Sequence, residues 1–267
     1  MPVITLTTEW QGYDYFNGVL KGKLATLCPG AIIIDNATSI PPFNIQHTAF
    51  VVRNTFRHYP EGSVHIICVN SEYHEDQPHL IVKSQGHYFI SADNGVFYLI
   101  LNAEPESIAI LEKPSSELLC DELDVFAKAA STIINGGDIS DAGKSIPKLH
   151  EKVPLRATIE DNAITGSIIF IDSYGNAISN ITRDLFKRII EGKKFHIAIR
   201  SNKNLIYHIS ESYKSEPISD LIARFNSLDL LEIGINGVNA AELMSLKIGD
   251  AVRIALQDGK SKPGALF

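Results

Sequence analysis

The chain has 267 residues, 45% apolar and 21% charged, and a formal net charge of −7 at pH 7. With mean hydropathy near zero and no apolar run approaching the ~20 residues of a spanning helix, the composition excludes a disordered chain and a helical membrane protein. The charge is uneven: residues 1–155 carry 10 Lys/Arg against 18 Asp/Glu, or −8, while residues 156–267 carry 14 against 13, or +1. An acidic first half repels nucleic-acid phosphate and tolerates a cationic ligand, so no nucleic-acid partner is expected.

The N-terminus opens Met-Pro-Val-Ile-Thr-Leu-Thr-Thr, without a basic region or an apolar core, so no signal peptide is expected. Three cysteines (Cys28, Cys68 and Cys120) are widely spaced and form no metal motif. They read as reduced thiols of a cytoplasmic protein.

Taken in chain order, the first half alternates strand-like and helix-like segments. Val3–Thr7 is a β-branched run, and Tyr15–Leu27 has helical apolar spacing that stops before Pro29-Gly30. Ala31–Ile34 reads as a buried strand. Ile45–Tyr59 reads as a helix closed by Pro60-Glu61-Gly62, and Ser63–Val69 as the next strand. Leu80–Ser84 and His87–Ile90 flank Gln85-Gly86, a hairpin signal. Leu123–Asn135 reads as a helix ending at Gly136-Gly137. This alternation predicts an α/β domain with a mostly parallel sheet.

The second half changes rhythm. Ala157–Asp161, Ala163–Asp172, Phe195–Ser201, Leu205–His208, Leu230–Ile235 and Ala251–Leu256 are short strand-like runs separated by turn residues, the pattern of a small β-barrel or sandwich. The switch falls near Pro147 and Pro154, dividing the chain into residues 1–153 and 154–267. No internal repeat, low-complexity stretch or heptad pattern is present.

The sequence contains no G-x-S-x-G, P-loop, H-E-x-x-H or C-x-x-C motif. Polar residues gather instead at predicted strand ends: Thr7-Thr8-Glu9, Asn70-Ser71-Glu72 and Asp93-Asn94-Gly95. In open α/β sheets, ligands sit beyond the carboxyl ends of strands, which singles out Glu9 and Asn70; the competing reading is a solvated carboxylate and a turn-capping amide. Six of nine histidines lie between His47 and His87. His74 beside Glu72, Glu75 and Asp76 lacks the spacing of a metal cluster and reads as a solvated loop. Asp172-Ser-Tyr-Gly-Asn176 ends an apolar strand with an acid, a ring and an amide. Those groups suit a nucleobase, and equally an ordinary β-turn.

Four stretches carry a resemblance: Ala92-Asp-Asn-Gly-Val-Phe, Asp124-Val-Phe-Ala-Lys-Ala-Ala, Phe170-Ile-Asp-Ser-Tyr-Gly-Asn-Ala-Ile-Ser-Asn-Ile and Leu231-Glu-Ile-Gly-Ile-Asn-Gly-Val-Asn-Ala-Ala-Glu-Leu. In this order they resemble the S-adenosyl-L-methionine (SAM) hydroxide adenosyltransferase family, which also includes SAM-dependent chlorinase and fluorinase. The similarity runs from Ile4 to Val252. It implies an N-terminal α/β domain, a C-terminal β-barrel, and a homotrimer with ligand sites between subunits. It also implies SAM as substrate or ligand with no further cofactor. The implied reaction is displacement at the ribose 5′ carbon, with methionine leaving as a neutral thioether and hydroxide or halide entering.

Carried over by position, the resemblance assigns Glu9 to the ribose diol, where the family places an Asp. Phe43 and Tyr174 fall where aromatics stack on adenine, Asp172 at a contact to the methionine amine, and Asn176 at an amide that bonds the nucleoside. The family's catalytic Asp, Arg and His positions are Asn70, Gln77 and Asp121 here, all three substituted. Asn70 orients a water but cannot take its proton, which leaves Asp121 as the candidate base, with Glu122 or His74 as substitutes. The halogenases place a Tyr at position 70 and a small residue near Glu122; an acid there repels a halide and opposes halogenation. Two functions follow: a divergent SAM hydrolase releasing adenosine and methionine, or an adenosine- or SAM-binding protein without turnover. A trimer with a vestigial pocket is the third reading.

Overall fold

The computed structural model describes residues 1–101, 103–114, 121–160 and 163–257. Cys120 and Asp161 lie outside the described residues, as does the side chain of Asp121. The chain divides into two compact units, Met1–Pro154 and Leu155–Phe267.

The first unit is built on a seven-stranded sheet. Its strands are β1 (Val3–Thr8), β2 (Ile32–Ala37), β3 (Val64–Cys68), β4 (His79–Ser84), β5 (His87–Ala92), β6 (Ser107–Ile110) and β7 (Lys144–Ser145), with helices α1 (Tyr15–Leu27), α2 (Ile45–Thr55), α3 (Val96–Ile100), α4 (Asp121–Ile134) and α5 (Ile139–Ala142). The spatial order is β2-β1-β3-β5-β4-β6-β7. The β2-β1, β1-β3 and β3-β5 pairs are parallel, while β4 and β7 run against their neighbours, so the sheet is mixed and mostly parallel in direction.

The two sheet faces are covered differently. Leu20 and Leu24 of α1 join Leu123, Phe126 and Ala130 of α4 over Ile4, Leu6, Ile66 and Ile90. On the other face, Ala49 and Val52 of α2, with Phe56, Val96 and Phe97, cover Ile67, Val82 and Phe89. Ile4 and Leu6 of β1 meet the first layer, while Thr5 and Thr7 lie on the second. From β1 the chain crosses to β2 on one side and then returns to β3 on the other. The carboxyl ends of β1 and β3 therefore flank the topological switch point, where such sheets open a crevice.

Most element ends follow from local chemistry. α1 spans the predicted residues and ends at Leu27, ahead of Pro29 and the left-handed Gly30, φ 87°. Asn44 caps α2 by accepting the His47 N–H at 3.0 Å. α2 is shorter than predicted: it tightens into a 3-10 turn at Phe56–His58 before Pro60. The β4-β5 hairpin forms as read, with Gln85 and Gly86 both at positive φ (53° and 76°). α3, β6, α5 and β7 have no counterpart in the sequence pattern because each spans five residues or fewer, too few to display a period.

The second unit holds β8 (Thr158–Glu160), β9 (Ala163–Ile171), β10 (Ala177–Thr182), β11 (Phe195–Ile199), β12 (Ser201–Ile206), β13 (Leu221–Phe225), β14 (Leu230–Ile235) and β15 (Ala251–Leu256), with α6 (Arg183–Ile189) and α7 (Ala240–Met244). The antiparallel order is β12-β11-β15-β9-β10-β14-β13, with β8 on β9, giving a nearly closed, barrel-like sheet. Its core gathers Ile164, Ile168, Ile181, Ile197, Leu231, Ile233, Val252 and Ile254. The run expected at Leu205–His208 is displaced to Ser201–Ile206, because the chain reverses at Arg200 (φ 56°) and re-enters the sheet at once. β10 and β13 are additions to the sequence pattern. Their polar residues (Ser179, Asn180 and Arg224) interrupt the apolar alternation, although all three lie in paired strands.

Candidate functional site

In the first unit, the residues following β1, β2 and β3 converge on one carboxylate. Glu9 Oε1 accepts the backbone N–H of Asn70 at 3.0 Å, and Oε2 accepts that of Phe43 at 2.5 Å. Its own N–H donates to Cys68 O at 3.1 Å. Phe43 (φ 60°) and Asn70 (φ 47°) both occupy the left-handed region, costly for a ring-bearing side chain. The carboxylate therefore holds both turns in place, the strained one at Phe43 included, while its remaining lone pairs stay available to accept from a hydroxyl. The Phe43 ring stands 73% exposed beside it, a free stacking face.

Asn70 is secured from a second direction. Asn94, 6% exposed, donates Nδ2 to Val69 O at 3.2 Å and to Asn70 O at 2.9 Å, while its Oδ1 accepts from Val96 N at 3.0 Å. Gly95 (φ 93°) makes that turn, and Lys152 packs where a Cβ would project. Asp93 is also buried, with both oxygens accepting the His150 N–H at 3.1 and 3.0 Å; burial raises its pKa and the His150 bond opposes the rise. Cys68, fully buried at the end of β3, has its thiol pKa pushed well up by burial, then by the Glu122 and Glu9 carboxylates. Both acids thus exert their field on the carboxyl end of β3.

The remaining first-unit candidates are placed less decisively. Gln77 is half-buried in the loop before β4, its N–H donating to His74 O at 2.9 Å in an isolated bridge. Asp121 is the first residue of α4. His74 is exposed, 3.6 Å from Asp76, and among the described residues no group of three or more His, Cys, Asp or Glu converges as a metal site.

In the second unit, the turn between β9 and β10 is organised by Asp172. Oδ1 accepts from Tyr174 N at 2.9 Å and Asn176 N at 2.8 Å, and Oδ2 accepts from Asn176 Nδ2 at 2.9 Å. Gly175, φ 82°, lies so close to Asn239 that a Cβ would fall 1.8 Å from Asn239 Oδ1. Asn176 is buried and Tyr174 is 79% exposed. Asp172, Tyr174 and Asn176 are therefore brought together by one turn, with the acid as its internal scaffold and the ring free. Asn94 and Glu232 stand inside stretches that the sequence itself singles out, whereas Tyr213, which flanks the Gly234 space beside Asn176, lies in none.

A mixed α/β sheet with its polar groups at the switch point, and a barrel-like antiparallel unit carrying an acid-ring-amide turn, define a two-unit class of protein. Residues 4–143 match the model of the SAM hydroxide adenosyltransferase N-terminal domain, and residues 166–253 that of the C-terminal domain. The chain belongs to the SAM hydroxide adenosyltransferase family. It is 27% identical over 266 residues to the (R)-S-adenosyl-L-methionine hydrolase of Methanocaldococcus jannaschii, covering 95% of this chain and 96% of that one. The protein of the same name from Salinispora arenicola is 24% identical, covering 95% and 97%, and that from Thermus thermophilus 25%, covering 90% and 94%. Among solved structures, an uncharacterized conserved protein from Thermotoga maritima superposes with a TM-score of 0.84 at 21% identity, covering 95% of this chain and 99% of that one. A conserved hypothetical protein from Thermus thermophilus gives 0.76 at 24%, covering 95% and 100%. These two likenesses concern the fold.

Proposed function

We propose that the protein is a divergent SAM hydrolase. Water attacks the ribose 5′ carbon, the new O–C5′ bond forms as the C5′–S bond breaks, and methionine leaves as a neutral thioether. The proton released from water passes to a carboxylate, and adenosine is the second product. What supports the reading is the Glu9–Phe43–Asn70 cluster at the switch point of a chain that matches its named relatives from end to end. A sulfonium leaving group needs no acid, so the demands on the site are alignment of water, carbon and sulfur, and removal of bulk water.

In this reading Glu9 receives the ribose diol, Phe43 and Tyr174 stack on adenine, Asn176 bonds the nucleoside, and Asp172 meets the methionine amine. Asn70 and Gln77 position the water, and Asp121 serves as base in place of the family's His. We infer a cytoplasmic homotrimer with SAM as its substrate and no added cofactor, without a nucleic-acid or membrane partner.

A second reading, an adenosine- or SAM-binding protein without turnover, is favoured by the neutral amide at Asn70 and by Glu9 and Asp172 both being committed to backbone N–H groups. Incubating pure protein with SAM and following adenosine and methionine separates the two. Equimolar products whose formation is lost in Asp121→Ala support the hydrolase; adenosine binding without product release overturns it in favour of the binder.

A further inference from the structure

On β13 and β14, Arg224 pairs directly with Glu232, and Glu232 also lies opposite Ile178 of β10. Glu232 is only 6% exposed, and its Oε1 accepts the Tyr213 hydroxyl. The Arg224 guanidinium lies 5.1 Å from the Tyr213 ring centre, and its buried Nε has no hydrogen-bond partner among the described residues. The ring is thus fixed at its edge by a charge-assisted hydrogen bond and on its face by a cation.

The held ring and Asn176 border the same backbone space. A Cβ added to Gly234 would sit 2.6 Å from Asn176 Oδ1 and 3.3 Å from Tyr213 Cε1, so the amide and the ring share the space that the missing side chain leaves. At its other end, the amide donates Nδ2 to Asp172 Oδ2. Two different supports therefore leave the amide one orientation: Nδ2 toward Asp172, Oδ1 over the Gly234 backbone.

We propose that Tyr213, anchored by Glu232 and Arg224, is a positioning residue that presents the Asn176 amide to the nucleoside. The assignment rests on the nucleoside reading of Asn176. It extends that reading to three residues which touch no ligand themselves but set the affinity. Burial and the Glu232 bond raise the Tyr213 pKa, so the phenol remains a donor throughout the neutral range. A preorganised amide avoids the ordering cost that a free side chain meets on binding.

The test compares adenosine affinity by calorimetry with the side-chain amide resonances of Asn176 by NMR. Tyr213→Leu is expected to weaken adenosine about tenfold and to shift the Asn176 amide protons, with KM for SAM rising while kcat stays within about twofold. Glu232→Leu is expected to behave similarly, and Glu232→Gln, which keeps an acceptor for the phenol, to recover most of the loss. Where a truncation fails to fold, Gly234→Ala applies the same displacement from the other side on ordinary backbone geometry. Unmoved Asn176 resonances, or unchanged adenosine affinity in a binding-competent background, overturn the positioning role and leave the nucleoside reading standing. A wild-type chain that binds neither adenosine nor SAM overturns that reading and this assignment with it.

Discussion

Glu9 accepts the backbone N–H of Phe43 at 2.5 Å across 34 residues of sequence, and Phe43 sits at φ 60° with its ring turned out to solvent. A single carboxylate thereby ties the loop after β2 to the end of β1, and through Asn70 to the end of β3. The Glu9 side chain thus spans both turns, one oxygen to each.

Removing that carboxylate costs stability as well as affinity. Glu9→Ala is expected to lower the unfolding free energy by about 2–3 kcal/mol, the scale of losing hydrogen bonds to a charged acceptor that also holds strained backbone. Glu9→Gln, which offers one acceptor oxygen in place of two, should fall between. Urea midpoints read the stability, and adenosine calorimetry reads the affinity.

Asn94 supports the same region from beneath. Asn94→Ala strips a partner from the carbonyls of Val69 and Asn70 and from Val96 N. A loss of about 1–3 kcal/mol is expected from these unmet backbone groups. Ligand affinity should weaken in parallel, because Asn70 then loses its Asn94 bond and keeps the one to Glu9. Equilibrium unfolding and calorimetry on the variant check both.

Acid should destabilise the first unit through a buried histidine pair. His65 Nδ1 lies 2.7 Å from Thr5 Oγ1, and its Nε2 lies 3.2 Å from His87 Nδ1. Burial, then the neighbouring His87, hold the His65 pKa down to about 3, while an unfolded histidine titrates near 6.5. As pH falls below about 6.5, the unfolded chain binds a proton that the folded chain refuses until about pH 3. Stability therefore declines across that window, by a few kcal/mol in all. His87 is shifted the same way, burial again leading, with Glu61 opposing and Arg57 assisting. His65→Gln should flatten the dependence, read as urea midpoints between about pH 7 and pH 4.

The substituted positions predict a gain of function. In the proposed assignment, the combined change Asn70→Asp, Gln77→Arg and Asp121→His installs the charged set that the resemblance implies for holding and deprotonating water. SAM turnover is expected to rise by at least about tenfold, a modest part of what a positioned general base supplies. Equal turnover in the triple variant and the wild type would show that the wild-type chain already activates water by another group. Timed release of adenosine is the measurement.

Some of this was written in local sequence. The helix Tyr15–Leu27, the Gln85-Gly86 hairpin and the change of rhythm between the halves depend on periodicity and turn chemistry within a few residues, and the structure has them. Asp172, Tyr174 and Asn176 were legible as a group for the same reason, since one turn of five residues holds all three. The short elements α3, β6, α5 and β7 were not legible, because tertiary packing rather than a repeating pattern selects them.

What the sequence by itself determined, then, is the set of elements that propensity and spacing dictate, and the chemical types at their ends. Only the tertiary structure decided which ends meet. The order β2-β1-β3 puts Glu9 beside Phe43 and Asn70, residues 34 and 61 positions away. The β13-β14 register sets Arg224 against Glu232, and the chain before β13 brings Tyr213 to the same carboxylate, 19 positions away. No local rule links such residues: strand crossover and sheet register bring them together, and both are properties of the whole packed unit. The physical reason is that a strand pairs wherever its buried face and register are satisfied, whatever the length of chain between.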